Sequence, residues 1–312
     1  MTLHRLSPPV ALAAAAPLFV SLAAAPAFAA DKPVASVGGY LFMGASIGDG
    51  NTSEDTEIGI IRDGEIHLKW RGSSDNGLTF DGRVELEAFT TGDQIDENWG
   101  RVQGAFGELL IGGADTAMNE YGDVGIVTPA LPLNYFDSDI SAVPGGGVGF
   151  MGKDDALSIR LGNRNIGLGA AGTLKAGVSY QPNADTDGSD DTNYGFASRG
   201  PGLAPKDQIA LGASWKAPKG APFRAEIGGG YLTADGPGAE DLYHAGIELG
   251  FGGFDVAALY ELEDGAGPDT DFYGLGAQYG TGPWTVGGGV LFSEGGEERT
   301  VATFGASYAL AP

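Results

Sequence analysis

The chain has 312 residues, 55 of them glycine and none cysteine, and sets 17 Lys and Arg against 41 Asp and Glu for a formal charge of −24. The lack of cysteine excludes disulfides and thiolate chemistry. The acidic balance excludes nucleic acid as a partner, because phosphate contacts need clustered cations, and glycine without a three-residue period excludes a collagen-like rod.

In chain order, residues 1–29 read as a secretory signal peptide. His4 and Arg5 precede the apolar run VALAAAAPLFVSLAAAPAFAA, and Ala27-Phe28-Ala29 has the small-x-small form of a cleavage site. Its removal leaves residues 30–312 as one domain with 16 cations against 41 carboxylates, a charge of −25. No later segment offers the eighteen consecutive apolar residues of a transmembrane helix. An exported chain of this kind is either soluble or crosses a membrane with strands, which carry a much weaker hydropathy signal.

From residue 36 onward one pattern returns. EIHLKWR (65–71) sets Ile66, Leu68 and Trp70 against Glu65, His67, Lys69 and Arg71. GLTFDGRVELEAF (77–89) sets Phe80, Val84 and Leu86 against Asp81, Arg83, Glu85 and Glu87. RVQGAF (101–106) and LSIRL (157–161) repeat the alternation, as do LKAGVSY, QIALGASW, FRAEIGGGY, YHAGIEL, FDVAALY, FYGLGAQY, WTVGGGVLF and ATFGASY. Period two with unlike faces is the mark of a β-strand, and about fourteen strands are readable. Several apolar faces end in aromatics, among them Trp70, Tyr180, Trp215, Tyr231, Tyr260, Tyr279, Trp284, Phe292 and Tyr308.

The connections alternate as well. SSDNG (73–77), FGE (106–108), FGG (251–253) and TGP (281–283) are short, whereas IGDGNTSEDTE, TADGPGAE, EDGAGPDT and SEGGEER are longer and acidic. Short turns at one end and long loops at the other belong to outer-membrane barrels. A soluble acidic β-sandwich binding calcium or carbohydrate is the alternative, with its apolar face inside. Export, hairpin asymmetry and the number of strands together favour the inverted arrangement: an all-β, transmembrane antiparallel barrel with lipid outside and a watery lumen.

Residues 64–125 make the reading specific. GEIHLKWRGSSDNGLTFDGRVELEAF, followed by GRVQGAFGELLIGGADTAMNEYGDVG, resembles the general-diffusion porins of the Gram-negative outer membrane, notably their alphaproteobacterial branch. The shared elements are a strand ending Gly-Ser-x-Asp-x-Gly-Leu and then Gly-Ala-Phe-Gly-x-Leu-x-x-Gly, and TDFYGLGAQYGTGPWTVGGGV (270–290) is similar to a late hairpin of that family. The resemblance implies a sixteen-stranded barrel, two strands more than are readable, assembled as a homotrimer in outer-membrane lipid. Its third loop would fold inward to narrow a channel for passive diffusion of small hydrophilic solutes and ions, without enzymatic activity. The missing strand pair would fall in 114–152 or 181–205. Family members usually end in an aromatic residue, whereas here the last aromatic is Tyr308.

In that reading the long stretch 114–152 is the constriction loop and carries Asp115, Glu120, Asp123, Asp137 and Asp139. Facing it across the pore would be Arg71, Arg83, Arg101 and Arg160, and the opposed charges would set up a transverse field that orients polar solutes. The acidic majority points to moderate cation selectivity, stronger in dilute salt. NADTDGSDDTN (183–193) begins like a calcium loop, but Tyr194 stands where an EF-hand needs Glu. Weak calcium binding by Asp185, Asp187, Asp190 and Asp191 is the most that it supports. His67 and His244 are far apart in sequence, no nucleophile motif is present, and no cofactor is expected.

Overall fold

The computed structural model describes residues 32–49, 56–88, 95–124, 157–183, 206–235, 241–264, 269–295 and 299–308. Residues 1–29, expected from the sequence to be a signal peptide, and Asp137, Asp139, Asp185, Asp187, Asp190 and Asp191 lie outside them. The fourteen strands in order are β1 Val34–Asp49, β2 Thr56–Ser73, β3 Thr79–Glu87, β4 Ile95–Gly104, β5 Gly107–Gly113, β6 Leu157–Gly167 and β7 Thr173–Asn183. β8 Lys206–Lys216, β9 Arg224–Asp235, β10 Asp241–Phe251, β11 Phe254–Asp264, β12 Thr270–Thr281, β13 Trp284–Gly295 and β14 Arg299–Tyr308 follow. Each is hydrogen-bonded to the next in a single antiparallel ladder from β1 to β14, and pairing across the β14–β1 seam is not among the described bonds. β5 pairs directly with β6, and β7 with β8. Neither long connection therefore inserts a strand at its own place in the ladder, and the further pair implied by the resemblance is not among the described strands.

The hairpin asymmetry rests on the two long connections, 114–156 and 184–205; the acidic loops read as longer from sequence leave only three to six residues between strand ends. β10 and β11 are joined by two residues, since Phe251 pairs with Phe254, and β12 and β13 likewise, since Thr281 pairs with Trp284. The second turn is Gly282-Pro283. Gly282 has φ +57°, which the first central position of a type II′ turn requires, and proline fits the second. Every connection from an even to an odd strand is short, and the 114–156 and 184–205 segments both lie at the opposite end.

The alternation sorts side chains in the direction opposite to a soluble fold. Leu275 is 55 % exposed, Ile66 49 % and Leu211 47 %, while Glu85, Ser179 and Gln181 are at most 3 % exposed. On β10, Tyr243 and Leu249 point outward and His244 inward, and on β11 Val256 and Tyr260 point outward and Glu261 inward. A sandwich would bury the first set, so the soluble alternative fails on burial alone.

Two aromatic belts bound the apolar outer surface. On the loop side, Tyr231 and Tyr243 are 4.9 Å apart between ring centres, Tyr260 and Tyr273 5.4 Å, and Tyr273 and Phe292 6.1 Å. On the turn side, Phe251 and Phe254 are 6.2 Å apart and Phe254 and Tyr279 4.4 Å, with Trp284 beside them. From Tyr243 to Phe251 the strand rises about 27 Å, or about 20 Å once tilted, which is close to the apolar band of an outer-membrane barrel. Outward acidic side chains of these strands, such as Asp241, Asp264, Asp271 and Glu294, lie on the loop side of the upper belt, where the Tyr260 hydroxyl donates to Asp271 at 2.6 Å.

β3 offers a direct check. Ile66 is the cross-strand partner of Leu86 and is exposed, so Leu86 faces lipid, while Glu87 pairs with Glu65 on the inner face. Leu86→Arg is expected to cost about 2–4 kcal/mol if near the membrane midplane and to lower the folded yield, read as heat-modifiable migration on a gel. Glu87→Arg is expected to fold nearly normally. Equal losses would place the two faces wrongly.

Candidate functional site: a charged belt around an inward-folded segment

After β5 the chain turns into the lumen. A single turn of π-helix, Met118–Gly122, lies against β7, β8 and β9. Glycines on the inner wall make room for it. A Cβ on Gly212 would stand 2.0 Å from the Ala117 carbonyl oxygen, and one on Gly177 2.1 Å from the Tyr121 ring. Met118 fills a small apolar cluster with Ala210, Leu232 and Leu242. The Ala117 amide donates to the Ser179 hydroxyl at 2.8 Å. In sequence these glycines read only as strand residues; their purpose is the close approach of a second backbone.

Glu108, at the start of β5, fastens this segment to the wall. It is 2 % exposed and accepts hydrogen bonds from Arg101 and Gln103 at 3.0 Å each, from Arg164 at 2.8 Å, and from the Tyr121 hydroxyl. Burying a carboxylate is tolerable only with such a set of donors. The Tyr121 phenol is raised above its ordinary value by burial and by this carboxylate, so the hydroxyl stays a donor.

Around this anchor runs a belt of ion pairs. Arg101 grips both oxygens of Asp81 at 3.0 and 2.7 Å, and Arg83 reaches Glu85 at 2.8 Å and also Glu97. Arg160 is 2 % exposed, donates to the Asp115 backbone carbonyl at 2.6 Å and lies 3.3 Å from Glu120, which Arg164 approaches at 2.9 Å. The Trp99 ring lies between Arg83 and Arg101, 5.8 and 5.2 Å from their guanidinium carbons. The belt follows from register: Arg83 and Glu97, Asp81 and Arg101, and Glu108 and Arg164 all stand on inward positions of β3 to β6.

Asp81, Arg83, Glu97, Trp99, Arg101, Glu120, Arg160 and Arg164 line a cavity of about 610 Å³. Of the residues predicted from sequence, Arg71, Arg83, Arg101, Arg160, Asp115 and Glu120 meet there. Asp123 does not line it: past Gly122, which rests on Gly229, the chain has crossed to the side of His244, whose Nε2 lies 3.3 Å from the Val124 carbonyl oxygen. Instead of facing arginines across open water, Glu120 bonds two of them directly. Sequence reasoning missed Lys69, Glu97, Glu108 and Arg164 as members of the belt. Strict alternation through β2 and β4, and its extension past Leu161, were the signals that could have found them; Glu108 was hidden because it was read as a turn residue.

The comparisons with known proteins agree with this geometry. The family model for Gram-negative porins matches residues 11–312, and the chain belongs to that family. Among solved structures, a porin refined at 1.8 Å is similar with a TM-score of 0.57 at 16 % identity, over 89 % of this chain and 90 % of that one. The trimer form of OmpT, an outer-membrane protein of Vibrio cholerae, gives 0.53 at 15 % identity, over 90 % and 85 %. No curated protein matches the sequence. The protein is a channel-forming porin of the outer membrane, and its fold is the transmembrane β-barrel.

Asp115, on the inward segment, has its carboxyl pushed up to about 6 by burial first and then by the charges of Glu97 and Glu120, against the opposing pull of Arg160 and Arg83. A carboxyl raised in the fold favours the protonated form. It leaves stability unaffected below about pH 4 and opposes folding increasingly as pH climbs towards 6. The same ionisation adds a negative charge to the cavity. Preference for cations is therefore expected to rise between pH 5 and 7 in the native chain, and this rise is expected to shrink in Asp115→Asn, as read from reversal potentials.

Proposed function

We propose that this cavity is the narrowest part of the pore, and that the protein works as a trimeric, non-catalytic channel through which small hydrophilic solutes and ions diffuse passively. The observation that carries the reading is the placement of Asp115 and Glu120, on a segment folded into the lumen, in one cavity with the basic row Lys69 and Arg71 of β2. Among the described residues no ion pair engages Lys69 or Arg71, so their fields reach into the cavity, and Asp115 answers them from the other side. A solute with a dipole is turned by such a field, and an apolar one must give up hydration without return.

The lining contains Lys69, Arg71, Arg83, Arg101, Arg160 and Arg164 against Asp81, Glu97, Asp115 and Glu120, so its surface is basic, with Glu85 and Glu108 set behind it against Arg83, Arg101 and Arg164. The chain as a whole is strongly acidic. The two act over different ranges. Charges at the mouth are felt at the narrow point only when the Debye length is long, about 30 Å at 0.01 M salt and about 3 Å at 1 M. Selectivity is thus expected to be cationic in dilute salt and to weaken as salt rises, leaving the arginines to dominate.

Two measurements test the proposal. Reversal potentials in salt gradients centred on low and high concentrations are expected to show declining cation preference; a preference independent of salt contradicts the two-range account. Gly212→Val places a side chain where the Ala117 carbonyl sits, so it is expected to dislodge the inward segment and raise single-channel conductance in a barrel that still folds. Unchanged conductance in the folded variant would move this segment out of the narrow point.

A further inference from the structure

At the edge of the charged belt, with Glu85 belonging to both, three donor atoms converge on the lumen wall. Glu65 and His67 stand two residues apart on the inner face of β2, and Glu85 of β3 is the cross-strand partner of His67. Register alone therefore brings an imidazole and two carboxylates together. His67 Nε2 lies 2.6 Å from a Glu65 oxygen and 2.8 Å from a Glu85 oxygen. A ring nitrogen carries at most one proton, which cannot bond both carboxylates well at once. A cation with two charges can satisfy all three donors and balances the two carboxylates.

We propose that Glu65, His67 and Glu85 form a binding site for a divalent transition-metal ion of the zinc type in the wall of the pore. Imidazole with carboxylate suits zinc and its neighbours, whereas magnesium and calcium favour oxygen alone. Bonds of about 2.0–2.2 Å in a tetrahedron place neighbouring donors about 3.4 Å apart, so His67 Nε2 would draw back by less than an ångström from each carboxylate, and the three donor atoms already lie within 4.8 Å of one another. The surroundings hold the donors in place. The Tyr40 hydroxyl donates to the second oxygen of Glu65 at 2.8 Å, and the Tyr40 ring meets the His67 ring edge-on at 6.2 Å and 79°. Such outer contacts fix the orientation of metal ligands. Arg83, 2.8 Å from the Glu85 oxygen, opposes a cation there, but it is also held by Glu97 and can release Glu85 without losing its partner. Glu65 and His67 each keep 14 % of their side chains exposed, which leaves a route for the ion and for the water that completes its coordination.

The test uses the full protein, folded in detergent, with zinc chloride titrated by calorimetry and folding of every variant checked by heat-modifiable migration. The native chain is expected to bind one zinc ion per chain saturably and to show no comparable site for magnesium. His67→Ala is expected to lose that site, and Glu65→Gln to weaken it about tenfold or more. If either variant fails to fold, His67→Gln, of similar size and polarity, takes its place. Absence of a saturable zinc site in the native chain, or an unchanged isotherm in the folded His67 variant, overturns the proposal; the latter would assign the zinc to the acidic surface.

Discussion

The structure depends on one geometric constraint: a closed wall of this many strands is too wide for its own side chains to fill. Fourteen strands spaced about 4.8 Å apart and tilted about 40° enclose a cylinder about 28 Å across. Side chains reaching in from opposite walls leave the centre open, so water occupies it. The inner face must then be polar wherever water reaches it, with apolar residues such as Leu232 and Leu242 gathered at the seat of Met118, and the outer apolar face must find another apolar medium. The exposed Ile66, Leu211 and Leu275, the buried Glu85 and Gln181, and the two aromatic belts all follow from that inversion.

A wide lumen also makes a second layer of backbone possible, and the chain supplies one after β5. Its seat is built from small residues. Gly162 and Gly177 lie under the Tyr121 ring, and Gly212 under the Ala117 carbonyl. Its fastening is electrostatic, through Glu108 and the donors that surround it. The two devices are complementary: glycine permits the approach but supplies no attraction, whereas a carboxylate with several donors holds the segment but needs room to be reached. Removing Glu108 would release the Tyr121 hydroxyl and so the segment's fastening, while Arg101 keeps Asp81 and Arg164 keeps Glu120.

Most of the wall was legible in the sequence because alternation is a local signal. GLTFDGRVELEAF names both faces of β3 without any knowledge of its neighbours, and GTGP announces its own turn. The charged belt was legible in part. Arg71, Arg83, Arg101 and Arg160 stand on the polar faces of β2, β3, β4 and β6, where alternation alone marks them, and Asp115 and Glu120 stand on the long segment after β5. What escaped depended on contacts between distant segments. Glu108 looks like a turn residue until Tyr121 and Arg164 arrive from elsewhere in the chain, and Asp123 looks like its neighbours until the π-turn carries it past the wall glycines. The pairing of His67 with Glu85 is a matter of register, which neither strand's own sequence states.

The central claim is that the inverted wall encloses a continuous path of water. Reconstitution of the purified, folded chain into a planar lipid bilayer tests it most directly. The account predicts stepwise increases in conductance, each step scaling with bulk salt conductivity as for a water-filled pore. A folded, membrane-inserted protein that leaves the bilayer silent would contradict it, because the inward-folded segment would then seal the lumen instead of narrowing it.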